Sequence, residues 1–407
     1  MRVLHLSSLY PPVSFGGAER VVETLAEGAA ARGDEVSAAY LTERRAVSGQ
    51  RNGVAVHPLR HRNPLWIETS ATHSGLVRKV NKVATLFNAL THADFKRVLV
   101  EVKPDIVHSH SMVELTPAMW RAARQSGAAV VHTLHDYDLL CIRAALFMDG
   151  KRCDKLHRTC AAFSRVKRLF HGEIDHVVGV SNSILQTHLD HGLFAGLTAA
   201  QRHVVWNPVQ LSPTVIQAPP RSQDRPFTFG YLGRLVPEKG VEVLLRACRQ
   251  VGESGWTLKL AGKAPGDDTA LRRAMEGTPA VRVGFVDPAE FLRDIDVLIV
   301  PSIWLEPFGL TIVEAYAAGV PVIGSDIAGV AEIVGAVDPS ALFAPGDSQA
   351  LAQVMAGLVR RGRDSLLPVR SAEVLARTRP DFAVDRYREI YALAVSMRTT
   401  LAEAVTS

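Results

Sequence analysis

The sequence predicts an α/β protein built from two doubly wound parallel sheets. Three observations carry that prediction. The chain has 407 residues, more than one ordinary hydrophobic core organises and close to what two domains of roughly 200 residues need. Short apolar runs alternate with amphipathic stretches along its length, which is the pattern of βαβ units and parallel strands. Midway, VVWNPVQLSP followed by QAPPRSQDRP breaks the alternation with two proline clusters in polar surroundings and reads as a linker.

In the first half RVLHLSS, EVSAAYL, GVAVHPL, DIVHSHS, AAVVHTLH and HVVGVSN read as strands, with ERVVETLAEGAAARG and PAMWRAARQSG as helices between them. An insertion over 61–103 looks helical and basic, and a second over 138–171 is rich in Arg, Lys and His. After the linker the strands are FTFGYLG, WTLKLAG, VRVGFV, DVLIVPS and PVIGSD, and the helices VEVLLRACRQVG, DPAEFLRDI and TIVEAYAAG. DFAVDRYREIYALAVSM, following Pro380, reads as a terminal helix. The expected domains are therefore 1–208, 209–380 and a C-terminal helix over 381–407. Two such domains facing each other would place their strand C-termini around one central cleft, where open α/β sheets bind ligands.

Composition narrows the class. With 47% hydrophobic and 21% charged residues, the chain is neither disordered, collagenous nor a disulfide scaffold. No uncharged apolar run reaches the ~18 residues of a membrane helix. MRVLHLSSLYPP reads as a first strand rather than a signal peptide, so the thiols are expected reduced in a cytoplasmic protein. The net charge of +5 is uneven. Residues 1–200 hold 24 Lys+Arg against 18 Asp+Glu, and 201–407 hold 22 against 23. A basic half suits an anionic membrane, an anionic substrate or nucleic acid, or is merely a solvated surface. Residues 294–359 contain no Lys or Arg, so an anion bound there needs backbone N–H groups or cations from elsewhere.

Four stretches carry chemistry. Gly16-Gly17 follow a strand and precede a helix, a place where backbone approaches a ligand closely, or simply a tight turn. In FGYLGRLVPEKG, Arg234 and Lys239 flank a turn after a strand; a planar fork and a point charge suit a diphosphate, and solvated surface charges are the alternative. In PSIWLEPFGLTIVEAYAAG, Glu306 stays in a loop and a helix opens near Leu310. The N–H groups of Phe308, Gly309, Leu310 and Thr311 would face an anion, and Glu314 would lie one turn inside the helix. His135 and Asp136 follow an apolar strand, with His110 in a similar strand-end position. An imidazole there donates to a hydroxyl, acts as a base, or is purely structural. Cys141, Cys153, His157 and Cys160 form C-x11-C-x3-H-x2-C, enough for a tetrahedral zinc site. The first gap lacks a close pair, and a loop with incidental thiols is the alternative. Cys248 reads as core.

Taken together, GGAER at 16–20, LHDY at 134–137, GRLVPEKG at 233–240 and EPFGLTIVE at 306–314 resemble the family 4 glycosyltransferases over essentially the whole chain. The resemblance implies the GT-B architecture of two Rossmann-like domains, with the terminal helix crossing back onto the N-terminal one. It implies retaining, metal-independent hexosyl transfer from a UDP-, GDP- or other nucleoside-diphosphate sugar, with no further cofactor. Arg234 and Lys239 would bind the donor diphosphate, Glu314 the ribose hydroxyls and Glu306 the transferred sugar. Gly16, Gly17 and His135 would line the site from the N-terminal domain. Lys263 departs from the family, which often has an acidic or small residue there.

The implied acceptor is a hydroxyl of a glycan, a lipid-linked sugar or a small molecule, in cell-envelope, exopolysaccharide or glycolipid synthesis, with no nucleic-acid partner. LVRKVNKVATLFNALTHADFKRVLVEVK, over 76–103, mixes Lys and Arg with Leu, Val and Phe. It reads either as an interfacial helix on the inner face of the cell membrane or as an ordinary buried helix. A nucleotide-sugar epimerase of the same fold and a non-catalytic sugar-nucleotide-binding protein are the alternatives. A dehydrogenase fits least, because no dinucleotide fingerprint follows the first strand.

Overall fold

Strand β1 (Arg2–Ser7) is buried from Val3 onward and sits at the centre of an eight-stranded sheet. The computed structural model that shows this describes residues 1–12, 16–43, 47–66, 75–210, 225–264, 266, 268–363, 366 and 371–406. The chain forms two compact units. One is Met1–Leu146, Asp154–Pro208 and Pro380–Ser407; the other is Phe147–Cys153 and Val209–Arg379. A sequence boundary at 208 puts the short segment Phe147–Cys153 with the first unit, whereas it groups with the second. The proline-rich stretch over 211–224 lies outside the described residues.

Along the first unit run β2 (Glu35–Thr42), β3 (Gly49–Arg51), β4 (Val54–Arg60), β5 (Ile106–His110) and β6 (Ala129–Leu134). The hairpin β7 (Phe147–Met148) and β8 (Lys151–Arg152) stands apart, and β9 (His176–Gly179) and β10 (Arg202–Val204) follow. The sheet order is β10-β9-β6-β5-β1-β2-β4-β3, parallel throughout except for β3 against β4. Its helices are α1 (Gly17–Ala31), α2 (Gly75–Leu86), α3 (Ala89–Val102), α4 (Ala118–Gln125), α5 (Arg158–Arg168) and α6 (Asn182–Asp190). In α1, Val22, Leu25, Ala26 and Ala29 recur at helical spacing and are buried.

The second unit has β11 (Phe227–Leu232), β12 (Trp256–Ala261), β13 (Ala280–Gly284), β14 (Val297–Val300), β15 (Val322–Ser325) and β16 (Leu342–Phe343). Their order, β13-β12-β11-β14-β15-β16, is parallel throughout. Around them lie α7 (Val241–Cys248), α8 (Thr269–Met275), α9 (Pro288–Arg293), α10 (Leu310–Ala317), α11 (Ala328–Val337), α12 (Ser348–Arg361) and α13 (Ala372–Arg377). Phe229, Leu244, Leu258, Ile299 and Met355 belong to its core, and so does Cys248.

The last helix, α14 (Pro380–Thr406), belongs to the first unit. Ala383, Val384, Tyr387, Ile390, Tyr391 and Ala394 are its buried stripe. Arg388 bonds Asp34 at 2.8 Å and Asp385 accepts from Arg32 at 2.6 Å, so charged pairs flank the apolar contact. Tyr391 and Tyr387 reach the sheet itself through His108 and Thr133.

Candidate active site

In the second unit the chain winds outward in opposite directions from β11 and β14, so the crevice beyond their carboxyl ends is the expected ligand site. The loops that leave them are GRLVPEKG and PSIWLEPFG, and they interlock. Tyr231 donates its hydroxyl to the Arg234 carbonyl at 2.7 Å, and Ile303 N–H bonds the Glu238 carbonyl at 3.1 Å. Gly240 has φ of 74°, and a Cβ there would lie 1.7 Å from the Pro301 carbonyl oxygen, so only glycine lets the loops cross. Gly329, in α11, donates to the Glu306 carbonyl at 2.9 Å.

This framework joins residues 67 positions apart. Lys239 Nζ pairs with Glu306 Oε2, which also accepts from Trp304 Nε1 at 3.1 Å and Ser302 Oγ at 3.5 Å. The Lys239 ammonium lies 5.2 Å from the Trp304 ring centroid, within cation–π range. The side chains of Lys239 and Glu306 are 20% and 12% exposed, an environment that strengthens the pair without sealing it from a ligand. Arg234 is mostly exposed, with Glu238 at 3.8 Å. α10 begins at Leu310 behind Gly309, with no side-chain cap on its first turn, and Glu314 lies half-buried inside it. Two cations and a helix N-terminus therefore gather positive potential beside a carboxylate. The Lys263 carbonyl accepts from Leu235 N–H at 2.9 Å, and its ammonium lies 4.8 Å from the Phe285 ring centroid.

In the first unit the equivalent switch point lies between β1 and β5. Gly16 is the N-cap of α1, and its N–H bonds Glu19 Oε2 at 3.1 Å. Gly17 opens the helix. His135 follows the last residue of β6 and is buried, and burial lowers its imidazole to a pKa of about 4. Its Nε2 lies 3.1 Å from His110 Nδ1. Asp136 accepts from Ser111 Oγ at 2.6 Å and from Asp138 N–H at 2.8 Å, and burial beside the Asp138 carboxylate pushes its own carboxyl well up. Asp138 is held down by the Lys167 ammonium, 2.5 Å away and almost wholly buried. The β1, β5 and β6 ends thus carry neutral rings and one compensated ion pair.

The zinc arrangement read from the sequence is not the cluster that forms. Cys141 and Cys160 are in hydrogen-bonding contact, and this with N–H groups of Ala145, Arg143 and Leu146 lowers the Cys141 thiol to about 5. His157, however, is the exposed N-cap of α5. Among the described residues, the group whose potential metal-ligand atoms lie within 4.8 Å of one another is His5, His108 and His110. Sequence reasoning missed His5, Tyr387 and Tyr391: a lone histidine in an apolar strand and tyrosines in an amphipathic helix carry no signal until the strands pair.

The chain is similar to known proteins in sequence and in fold. Residues 15–212 match the model of Glycosyltransferase Family 4, and residues 226–361 that of Glycosyl transferases group 1. A "42.6 kDa protein in cps region" of Klebsiella pneumoniae is 26% identical over 82% of this chain and 87% of its own length. The phosphatidyl-myo-inositol mannosyltransferase of Mycobacterium leprae is 28% identical over 67% and 69%. The solved structure of Anabaena Alr3699/HepE in complex with UDP superposes with a TM-score of 0.62 at 19% identity, over 100% of both chains. The fold is that of the GT-B glycosyltransferases. The chain belongs to glycosyltransferase family 4.

Proposed function

We propose that the protein transfers a sugar from a nucleoside-diphosphate sugar to an acceptor hydroxyl with retention of configuration and without a metal. The observation that carries this reading is the Lys239–Glu306 pair beside Arg234 at the β11/β14 switch point. An ammonium held by a carboxylate offers its remaining N–H donors to a diphosphate, while Glu306 keeps a second oxygen for a sugar hydroxyl. Arg234 adds a planar fork, and the start of α10 adds backbone donors where the sequence supplies no cation. Glu314 takes the ribose hydroxyls. As the bond from the anomeric carbon to phosphate oxygen breaks, the acceptor oxygen forms its bond on the same face. The departing phosphate oxygen takes the acceptor's proton, and Lys239 and Arg234 offset the charge left on it. His135 bonds a hydroxyl of the reacting sugars.

Incubation of the full chain with a panel of sugar nucleotides, read by release of nucleoside diphosphate, tests this. One donor should turn over without added metal and in the presence of a chelator, and Lys239→Ala should lower kcat by about 10²–10³. A chelator that abolishes turnover would overturn the metal-free mechanism. The likeness to a protein of a cps region and to a phosphatidyl-inositol mannosyltransferase supports an acceptor in envelope polysaccharide or glycolipid synthesis.

A second observation favours a membrane partner. α2 is inverted: Asn81 and Thr85 are 2% exposed, whereas Leu76, Val80 and Val83, with Phe87 just beyond the helix, are 73%, 55%, 59% and 67% exposed. Asn81 receives the Leu65 N–H at 2.9 Å, and Lys82 pairs with Glu114, so the polar face is the one consumed by the protein. The outward apolar stripe lies in a stretch, 51–100, with 8 basic and 2 acidic residues, a charge balance suited to anionic lipid. No helix among the described residues is long and apolar enough to cross a membrane. Flotation with anionic vesicles should capture the protein, and Val80→Glu with Val83→Glu should release it; equal capture by zwitterionic vesicles alone would remove the charge argument.

A further inference from the structure

Three imidazoles run as a chain through the first sheet to the end of β6. His5 Nδ1 lies 3.0 Å from His110 Nε2, and His110 Nδ1 lies 3.1 Å from His135 Nε2. The two outer nitrogens, His5 Nε2 and His135 Nδ1, are buried without a partner. Neighbours hold the rings in place. His5 stacks on His110 at an interplanar angle of 19°, and His110 packs 3.9 Å from His108, centroid to centroid. His108 is anchored in turn by Tyr391 Oη and Thr133 Oγ1, each at 2.7 Å.

A neutral imidazole has one N–H and one lone pair. Burial lowers all three rings below the ordinary histidine range, which keeps them neutral. The central ring then donates through one nitrogen and accepts through the other, so both hydrogen bonds point the same way. Either all three rings carry their proton on Nδ1, or all three carry it on Nε2. The Nε2 state strands an N–H at His5, which is 1% exposed inside the sheet. The Nδ1 state leaves His5 only a lone pair and brings the N–H to His135, 8% exposed at the strand end. Both outer nitrogens are buried, so each state strands one N–H; at the strand end a ligand oxygen can take it, whereas inside the sheet nothing can, so the Nδ1 state wins.

We propose that His5 and His110 are positioning residues that lock His135 in its Nδ1–H tautomer, making it a hydrogen-bond donor to a ligand oxygen and not a proton acceptor. Only the assignment of that oxygen to a reacting sugar rests on the glycosyl-transfer reading; the tautomer does not. A divalent cation among His5, His108 and His110 would compete, but it must break bonds already made by both nitrogens of His108 and of His110.

The full chain labelled with ¹⁵N-histidine, with His135 assigned by the signals lost in His135→Gln, reads the tautomer from long-range proton–nitrogen correlations. His135 should show a protonated Nδ1 and a bare Nε2. His110→Leu should convert it to a tautomer mixture, and His110→Asn, whose amide N–H can replace the Nδ1 donor, should restore it. In the sugar-transfer assay His110→Leu should lower kcat about tenfold with donor KM unchanged, and Asn should recover it. A protonated Nε2 or an imidazolium at His135 in the unsubstituted chain overturns the lock, and so does stoichiometric Zn²⁺ uptake that His5→Leu abolishes. The expected tautomer with unaltered kcat in His110→Leu overturns the part played by His135 in the reaction.

Discussion

At the β11/β14 switch point the second unit carries an ammonium and a carboxylate in contact, 20% and 12% exposed. At the β1/β5 switch point the first unit carries linked imidazoles in almost complete burial. All fifteen histidines of the chain lie at or before His203, and the second unit has none. One doubly wound topology thus places two different chemistries at the same point of the sheet. Charge is retained where water still reaches it and the pair can be shared with a ligand. Where burial is nearly complete the groups are neutral and act through the direction of their hydrogen bonds. One exception in the first unit, Lys167 with Asp138, is tolerated because the ammonium also bonds the Met112 and Asp138 carbonyls.

That exception offers the largest effect. Lys167→Met leaves the Asp138 carboxylate buried and unpaired, and should cost the first unit about 3–5 kcal/mol in chemical denaturation. A loss under 1 kcal/mol would mean the pair is hydrated. Glu306→Gln should show the opposite profile: kcat down about 10²-fold, but stability changed by no more than about 1 kcal/mol, because the pair is partly solvated. Equal losses in both measurements would erase the distinction between the two sites.

Acid should separate the units themselves. His5 and His132 titrate at about 3 when folded, from burial, against 6.5 when exposed. Below pH 6.5 the unfolded chain binds protons that the folded chain refuses, so stability present above that pH is lost as pH falls toward 3. At pH 5 the loss is about 2 kcal/mol for each such ring. Calorimetry from pH 7 to 5 should move a first-unit transition and leave the second unit's nearly fixed; parallel movement of both would contradict the histidine partition. The smallest effect is expected for Tyr391→Phe, which removes the His108 Nδ1 partner and should cost about 1 kcal/mol in urea denaturation. An unchanged midpoint there would show that the Tyr391–His108 hydrogen bond adds nothing to the hold on α14.

Much of this was legible in the residues. Strands β1, β2, β5, β6, β11 and β14 coincide with apolar runs because a parallel strand buried on both faces has little choice of side chain. The short strands β3, β7, β8, β10 and β16 have two or three residues each, too few for any periodicity. Helix α10 starts at Leu310, because Gly309 before it takes a φ of 107° that no right-handed helical residue has. The Cys141, Cys153, His157 and Cys160 spacing suggested a metal, but spacing counts ligands without aiming them, and His157 ended as an exposed helix cap.

The sequence by itself determined the parallel α/β class, the run of elements and the chemistry-bearing loops, since hydrophobic period, glycine, proline and charge act over a few neighbouring residues. Only the tertiary structure decided that Lys239 would be paired with Glu306, that His5 would be joined to His110 across 105 positions, and that α2 would turn its polar face inward. Each of those depends on which strand lies beside which, and on what Asn81 and Lys82 find to bond. Local pattern states that a helix has two faces; the partners waiting at Leu65 and Glu114 choose between them.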